Sequence, residues 1–549
     1  MSSDVLSENA PYITKKKKTV DDYLNDVDYR RLEKEMPSDF ALEFINFIKL
    51  VNGSQGEENE SPLLHYKMLK DVDSKEKRTL NMVFRGGAKT SIFGEYMFLY
   101  LGVYGRLPVF GKIDLALYVS DSIENGVKNM RKNLEYRWEN SKFLREFIPK
   151  TIFTDTRWEF RNADGNIFIV KGYGAKTGVR GSKELGKRPT LAVLDDLLSD
   201  DDARSDTVIN SIEDTVYKAI TYALHPTHYK IIWSGTPFNA KDPLHKAVEA
   251  GSWHNNVYPV CEKFPCTREE FRGAWEDRFP YDYVMGQYTQ ALEDGKIDTF
   301  NQELMLRIMS TEDRLILDED IKWYRRELVL RNKSAFNFYI TSDFATQGNA
   351  GNDYSVIFVW AYSHKGYWFW VDGICRRQHM GQNINDLFHF ASNYQPQQVG
   401  IEVSGQQGGF IPWIEEQMVA RNIWFPLASE RNSTKPGLRP STNKLQRLNV
   451  VVPWFKAGMM WFPVEMKTSE PLMELMSELA LVSPTGIKSK NDDAIDGTSQ
   501  LGSLTPYKPS YEVPMHETST STGVTGSGQS SVWEEDVDDD GSSMNSYLV

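Results

Sequence analysis

Four short apolar runs, LNMVF, LALYVS, TLAVL and KIIWS, punctuate residues 60 to 250, and helical patterns such as SIENGVKNMRKNLEYRW lie between them. Strands that alternate with helices cannot pair as hairpins. They require crossover connections, so this half of the chain is expected to form a parallel sheet sandwiched by helices. The pattern changes at residue 334. FNFYITSDF, YSVIFVWAY and YWFWVDGI follow one another as aromatic and β-branched strands with Gly- and Asn-rich turns, which predicts an antiparallel meander. A helix (INDLFHFASNY), a strand (QVGIEVS), a helix (FIPWIEEQMVA) and helical segments through LMELMSELALV to NDDAIDGTSQLGSL follow, completing a second α/β domain with a mixed sheet. At 549 residues the chain exceeds what one core usually organises, so two domains with flanking segments are expected.

Before the first strand, SDFALEFINFIKLV has apolar residues at helical spacing, with Ser38 or Asp39 placed to cap it. The run Lys15 to Lys18 reads as a solvated segment. No stretch of eighteen apolar residues exists to span a bilayer, and MSSDVLSENAPYITKKKK lacks the apolar core of a secretory signal, so a cytoplasmic setting is expected with no membrane partner. Cys261, Cys266 and Cys375 cannot all pair internally, which suits a reducing compartment; with His254, the first two lack a fourth ligand for zinc. A net charge of −13 argues at first against a nucleic-acid partner. Residues 505 to 549, however, hold eight acids against Lys508 alone, so this tail carries −7 of it and basic grooves remain open to the body. The same tail is Ser-, Thr- and Gly-rich, has too little apolar content to fold alone, and reads as disordered.

VFRGGAKTS follows the first strand and precedes the helical SIFGEYMFLYLG. That context suits a phosphate-binding loop formed by Arg85, Gly86, Gly87, Ala88, Lys89, Thr90 and Ser91: backbone N–H groups and the helix start face the phosphates, Lys89 neutralises charge, and Thr90 or Ser91 ligates Mg²⁺. Ala88 stands where such a loop usually has glycine, tolerable if its backbone needs no positive φ. TLAVLDD describes a buried strand whose tip presents Asp195 to hold Mg²⁺ through water and Asp196 to orient or deprotonate an attacking water. The plainer reading is a strand ending at a solvated acidic turn, which DLLSDDD directly after it supports. IIWSGTPFN ends a third strand in Ser234, Gly235 and Thr236, small polar residues suited to sensing a γ-phosphate and relaying its loss. Arg180, in TGVRGS, is a candidate to complete the charge stabilisation of phosphoryl transfer, in cis or on a neighbouring subunit; Arg85 is the competing candidate.

The second half offers carboxylates on separate elements. Asp343 ends its first strand, Glu402 lies on the strand after its first helix, and Asp492, Asp493 and Asp496 open its final helix. Two metal ions about 4 Å apart need such a convergent set. Residues three and four apart share a helix face, so Asp496 can join Asp492 or Asp493, although acids at a helix start are also ordinary dipole partners. Lys444, Arg447 and Lys490 are candidates for contacts along a DNA backbone, or are simply solvated. The aromatic residues of the meander are expected in the core.

Taken in order, RGGAKTS, TGVRGS followed by RPTLAVLDD, the SGTP segment and KSKNDDAIDG resemble the large terminase subunit of tailed bacteriophages, over roughly residues 60 to 505. The resemblance implies a P-loop (ASCE, RecA-like) ATPase domain over 60–255 and a linker or lid subdomain over 256–333. It further implies an RNase H-like nuclease domain over 334–505, flanked by a partly disordered segment (1–59) with one or two helices and by an acidic tail (506–549). It implies ATP and Mg²⁺ or Mn²⁺ as cofactors. Lys89 and Thr90 would serve the phosphates and Mg²⁺, Asp195 and Asp196 the metal and water, and Ser234 to Pro237 coupling. Arg180 would be the finger acting between neighbours, and Asp343, Glu402 and the NDDAID carboxylates would hold the nuclease metals. The implied partners are double-stranded DNA, a portal protein, a small terminase subunit and further copies of the chain in a ring, transiently docked on a procapsid portal in the host cytoplasm. Two positions depart from the family: Asp196 where glutamate is common, and Asn491 where a histidine often precedes the two aspartates. A rival class, a cellular helicase-nuclease, would need a second RecA-like domain after SGTP, and the chain passes directly to the second acidic domain.

Overall fold

The computed structural model describes residues 18–53, 59–177, 179, 182–309, 314–345, 354–403, 410–430, 433–439, 442–484, 486–510, 536–537 and 543–544. Arg180 and most of the acidic tail therefore lie outside the described residues. The described chain divides into two compact units, drawn from Met1–Phe264, Phe271–Val284 and Phe300–Ile308 for the first and from Pro265–Glu270, Met285–Thr299 and Met309–Val549 for the second.

In the first unit, strands β1 (Arg78–Val83), β4 (Leu115–Ser120), β8 (Leu191–Asp195) and β9 (Lys230–Gly235) are the four apolar runs. β2 (Arg106–Leu107) and β3 (Gly111–Lys112) form a small separate hairpin. β5 (Lys150–Phe153), β6 (Arg157–Arg161), β7 (Ile167–Gly174) and β10 (His254–Tyr258) extend the main sheet beyond the four expected strands. Its order is β10-β1-β9-β8-β4-β7-β6-β5, parallel from β10 to β7 and antiparallel at β6 and β5. Every residue of β4, β8 and β9 is buried, which requires cover on both faces. On one face Leu80, Met82, Leu117, Val119, Leu194 and Trp233 share a core with Ile209 and Ile212 of helix Asp206–Asp214 and Leu244 and Val248 of helix Pro243–Ala250. On the other, Phe98, Tyr118 and Trp158 pack ring against ring. Each fully buried side chain of this size contributes about 1.5–3 kcal/mol.

The early helix forms as expected over Asp39–Asn52, and Ser38 is its cap, its hydroxyl accepting the Ala41 N–H. Its buried face places Phe40, Phe44 and Phe47 against Tyr100 of helix Met97–Tyr104.

The second unit has strands β11 (Lys322–Tyr324), β12 (Asn337–Asp343), β13 (Ser355–Tyr362), β14 (Trp368–Arg376), β15 (Gln398–Ile401) and β16 (Met460–Pro463) in the order β11-β16-β14-β13-β12-β15. β12, β13 and β14 form the expected antiparallel meander, with β15 parallel to β12 and β16 parallel to β14. A three-strand meander joined by a parallel fourth strand beside its first is the RNase H-like order. One face packs Ile340, Val359 and Val371 against Leu387 and Phe388 of helix Met380–Tyr394. The other packs Val356, Phe358, Trp360 and Trp370 against helices Lys444–Lys456, Glu470–Leu479 and Asp493–Ser499. The meander tryptophans are thus core residues, and the acid-bearing final helix lies directly on the sheet. Among the described residues no helix is long and apolar enough to cross a membrane.

Candidate functional site

Chemistry-bearing side chains converge at the strand tips of each sheet. In the first unit β9 lies between β1 and β8, with Asp195 level with Ser234 and Met82 level with Gly235. Neighbouring strands stand about 4.8 Å apart, so the loop after β1, the Ser-Gly-Thr tip of β9 and the acidic tip of β8 meet. Lys89 Nζ donates to Thr236 Oγ1 at 2.8 Å and lies 3.8 Å from Asp196. Thr236 in turn donates its hydroxyl to the Val83 carbonyl at 2.8 Å and its backbone N–H to Asp196 Oδ1 at 3.1 Å. A side chain at Gly235 would meet Asp196 Oδ1 at 3.2 Å and Leu244 at 2.9 Å, so glycine leaves the acid room to approach.

Asp195 is buried and held from both sides. Thr90 Oγ1 donates to one carboxylate oxygen and the Tyr118 hydroxyl to the other, each at 3.0 Å. Burial, with Asp196 beside it, pushes Asp195 up to about 7 against the pull of Thr90, Lys89 and Tyr118. A hydroxyl and a carboxylate in direct contact at the head of a loop that opens a helix fit a hard divalent cation carried with a nucleotide. Helix Thr90–Tyr96 is a π-helix that continues as the α-helix Met97–Tyr104, and Ser91 lies in its first turn. Arg85 is turned aside. Its backbone N–H bonds the Glu303 carbonyl at 2.8 Å and its guanidinium bonds the Glu303 carboxylate at 3.1 Å.

The condition placed on Ala88 is overturned. Its φ is +59°, and Gly86 is also left-handed at +87°. The loop therefore demands a glycine-like backbone where the chain supplies alanine. Asp196 is left-handed too, at +38°. For alanine such a conformation costs about 1–2 kcal/mol, a strain of the kind that collects at functional sites.

In the second unit Asp343 ends β12, Glu402 follows β15, and Asp493 begins helix Asp493–Ser499 with Asp492 as its cap residue. The Ser342 peptide draws these elements together. Its carbonyl accepts from the Glu402 N–H at 3.1 Å and from Gln500 Nε2 at 3.0 Å, while its N–H donates to Gln500 Oε1 at 3.2 Å. Gln500 thus clips the end of the acid-bearing helical segment to the residue preceding Asp343. Glu478, on helix Glu470–Leu479, accepts the N–H groups of Ala494 (3.4 Å) and Ile495 (2.8 Å) and so caps the helix start. Asp493 accepts the Tyr354 N–H at 2.9 Å. Tyr118, Gln500 and Glu478 belong to no sequence motif; each works through partners distant in the chain.

Burial pushes Asp343 up to about 8, with Glu402, Asp493 and Asp496 adding repulsion and Lys444 opposing it. Lys444 and Arg447, expected to be solvated or turned to DNA, both pair with acids of the site, Arg447 largely buried and Lys444 with its side chain still 43% exposed. Arg447 bridges Glu402 and Asp496, both at 2.8 Å, and Lys444 bridges Asp492 at 2.5 Å and Asp496 at 2.8 Å. Asp496, almost wholly buried, is thereby engaged through both oxygens. Among the described residues no three acids, histidines or cysteines already stand as a metal-ligand group. The all-oxygen donor set of Asp343, Glu402 and Asp493 nevertheless fits Mg²⁺ or Mn²⁺ chemically, and the charge crowding on Asp343 is what a divalent cation relieves.

No family model matches the sequence, and no curated protein matches it. The structure resembles large terminases. The HK97 bacteriophage large terminase shares 13% identity over 85% of this chain and 99% of its own, with a TM-score of 0.35. The Thermus phage P74-26 large terminase ATPase domain shares 10% over 50% of this chain and 100% of its own, with a TM-score of 0.33. The Mn-soaked human cytomegalovirus terminase nuclease domain shares 14% over 34% and 94%, with a TM-score of 0.26.

Two predictions follow from the strain and the charge. Ala88→Gly should raise stability to urea by about 0.5–1 kcal/mol, because relief of the left-handed alanine exceeds the extra freedom glycine gains on unfolding; a destabilised variant would contradict the loop conformation. For Asp343 the folded value lies above that of a free aspartate, so its stabilising share is complete below about pH 4 and is lost as pH rises through about 8. In EDTA, thermal unfolding of Asp343→Asn should therefore gain on the unsubstituted chain between pH 5 and 8 (roughly that window), and Mn²⁺ should stabilise only the unsubstituted chain at the upper end.

Proposed function

We propose that this chain is the motor and nuclease subunit of a viral DNA-packaging machine, hydrolysing ATP to move double-stranded DNA into a procapsid and cutting concatemeric DNA. The observation that carries the reading is the pairing of two acid-tipped sheets on one chain: Lys89, Thr90, Asp195, Asp196 and Thr236 around one loop, and Asp343, Glu402 and Asp493 at the other sheet. The first set has the residue types and contacts of a nucleotide-hydrolysing centre. Lys89 neutralises phosphate charge, and the start of helix Thr90–Tyr96 presents the positive end of its dipole to the phosphates. Asp196 holds an attacking water. Thr236, bonded at once to Lys89 and Asp196, is placed to register loss of the γ-phosphate and pass it to β9. Thr90 and Asp195 would hold Mg²⁺, which supplies charge neutralisation along the phosphates.

In the second set Asp343, Glu402 and Asp493 would hold Mg²⁺ or Mn²⁺, which activates water and stabilises the leaving oxygen of a phosphodiester. The protein's part is to fix the three carboxylates through Ser342, Gln500 and Glu478. The resemblance in motif order extends the proposal to partners: a portal protein, a small terminase subunit and neighbouring copies in a ring, docked on the procapsid portal in the host cytoplasm, with Arg180 or Arg85 supplying the positive charge that stabilises phosphoryl transfer.

The test is a pair of substitutions in the purified chain. Lys89→Ala should abolish DNA-stimulated ATP hydrolysis, by about 100-fold or more, while sparing Mn²⁺-dependent DNA cleavage; Asp343→Ala should do the reverse. Unaltered turnover in Lys89→Ala would overturn the motor reading, and ATP-driven unwinding of duplexes with fixed polarity would establish a helicase-nuclease instead.

A further inference from the structure

His65 belongs to none of the motifs. It lies on helix Leu63–Val72, is buried, and its Nε2–H donates to the Gly87 carbonyl within the loop at 3.0 Å. A carbonyl only accepts, so Nε2 carries the proton and Nδ1 is bare. Among the described residues Nδ1 has no hydrogen-bond partner. Burial pushes the imidazole down to about 4, and the Arg278 charge pushes the same way, although the Gly87 bond opposes them. The ring is neutral at physiological pH, and Trp275 holds it edge-on with centroids 5.0 Å apart.

The consequence lies in the peptide that follows. A trans peptide is planar, so a Gly87 carbonyl turned toward His65 turns the Ala88 N–H the opposite way, away from the helix that carries His65. Ala88 is the residue held in the costly left-handed conformation. Rotation of the Gly87–Ala88 peptide would relieve that strain and would withdraw the N–H. Gly87 itself cannot take on the task with a side chain, since a Cβ there would lie 2.6 Å from Val83 Cγ1. The flanking peptides are bonded locally, the Gly87 N–H to the Phe84 carbonyl at 3.2 Å and the Ile92 N–H to the Ala88 carbonyl at 3.0 Å, whereas the Gly87 carbonyl is held from outside the loop by His65.

We propose that His65 is a positioning residue of the phosphate-binding loop, gripping the Gly87 carbonyl so that the Ala88 N–H stays aimed at the nucleotide phosphates. The proposal rests on the reading of this loop as a nucleotide site. It assigns the helix before β1 a part in nucleotide affinity that none of the loop's own residues reveals.

The experiment is titration of the full chain with a fluorescent ATP analogue, alongside thermal unfolding, for His65→Phe and His65→Gln. Phenylalanine keeps the ring and loses the donor; glutamine keeps an N–H donor. The expected result is a Kd raised about tenfold for phenylalanine and by no more than about threefold for glutamine, the scale of one buried hydrogen bond. Should phenylalanine unfold the chain, His65→Ala serves the same comparison. Equal weakening by donor-bearing and donor-free variants, or none in either, overturns the proposal. Absence of binding by the unsubstituted chain would instead overturn the nucleotide reading on which it stands.

Discussion

Negative charge placed at the ends of buried strands is the constraint on which both halves of this protein depend. Asp195 and Asp343 each terminate a strand whose preceding residues are buried, and each is pushed up the pH scale by that burial and by neighbouring acids. A carboxylate so placed stays ionised only with a partner charge or hydrogen-bond donors. The two sites meet this demand differently. Around Asp195 it is met by the Thr90 and Tyr118 hydroxyls, with Lys89 nearby. Around Asp496 Arg447 and Lys444 oppose the effect of burial from inside the protein, whereas Asp343 is pushed up by burial and then by Glu402, Asp493 and Asp496, with Lys444 opposing.

Topology turns that constraint into geometry. Inserting β9 between β1 and β8 brings Thr236 to both Lys89 and Asp196, so the cation and the acid communicate through one hydroxyl and one backbone N–H. In the second unit, setting β15 beside β12 brings Glu402 onto the Ser342 carbonyl, and Gln500 closes the third side. In each case a small number of main-chain hydrogen bonds fixes where long acidic side chains begin, which orients the chemistry more firmly than side-chain packing alone.

Much of this was legible because it is local. The four central strands are continuous apolar runs, and the meander strands are aromatic and β-branched, so both patterns survive without tertiary help. Lys89 and Thr90 were legible because they stand where the loop after a strand opens a helix, Asp195 and Asp196 because they stand at a strand end. The edge strands were less so: HNNVY of β10 is too polar to read as a parallel strand until β1 pairs with it. His65, Tyr118, Glu478 and Gln500 act on partners reached only by folding, and no spacing rule points to them. Arg447 and Lys444 were visible as basic residues, but their inward pairing is a product of helix Lys444–Lys456 packing beside Asp493–Ser499.

The amino-acid sequence by itself determined which residue types stand at the ends of which strands, since periodicity and strand-terminal polarity are properties of short segments. Tertiary structure alone decided which of those ends become neighbours, that Ala88 is left-handed, and which acids are neutralised from within. Those outcomes depend on strand order, peptide orientation and burial, and each is set by contacts between segments far apart in the chain.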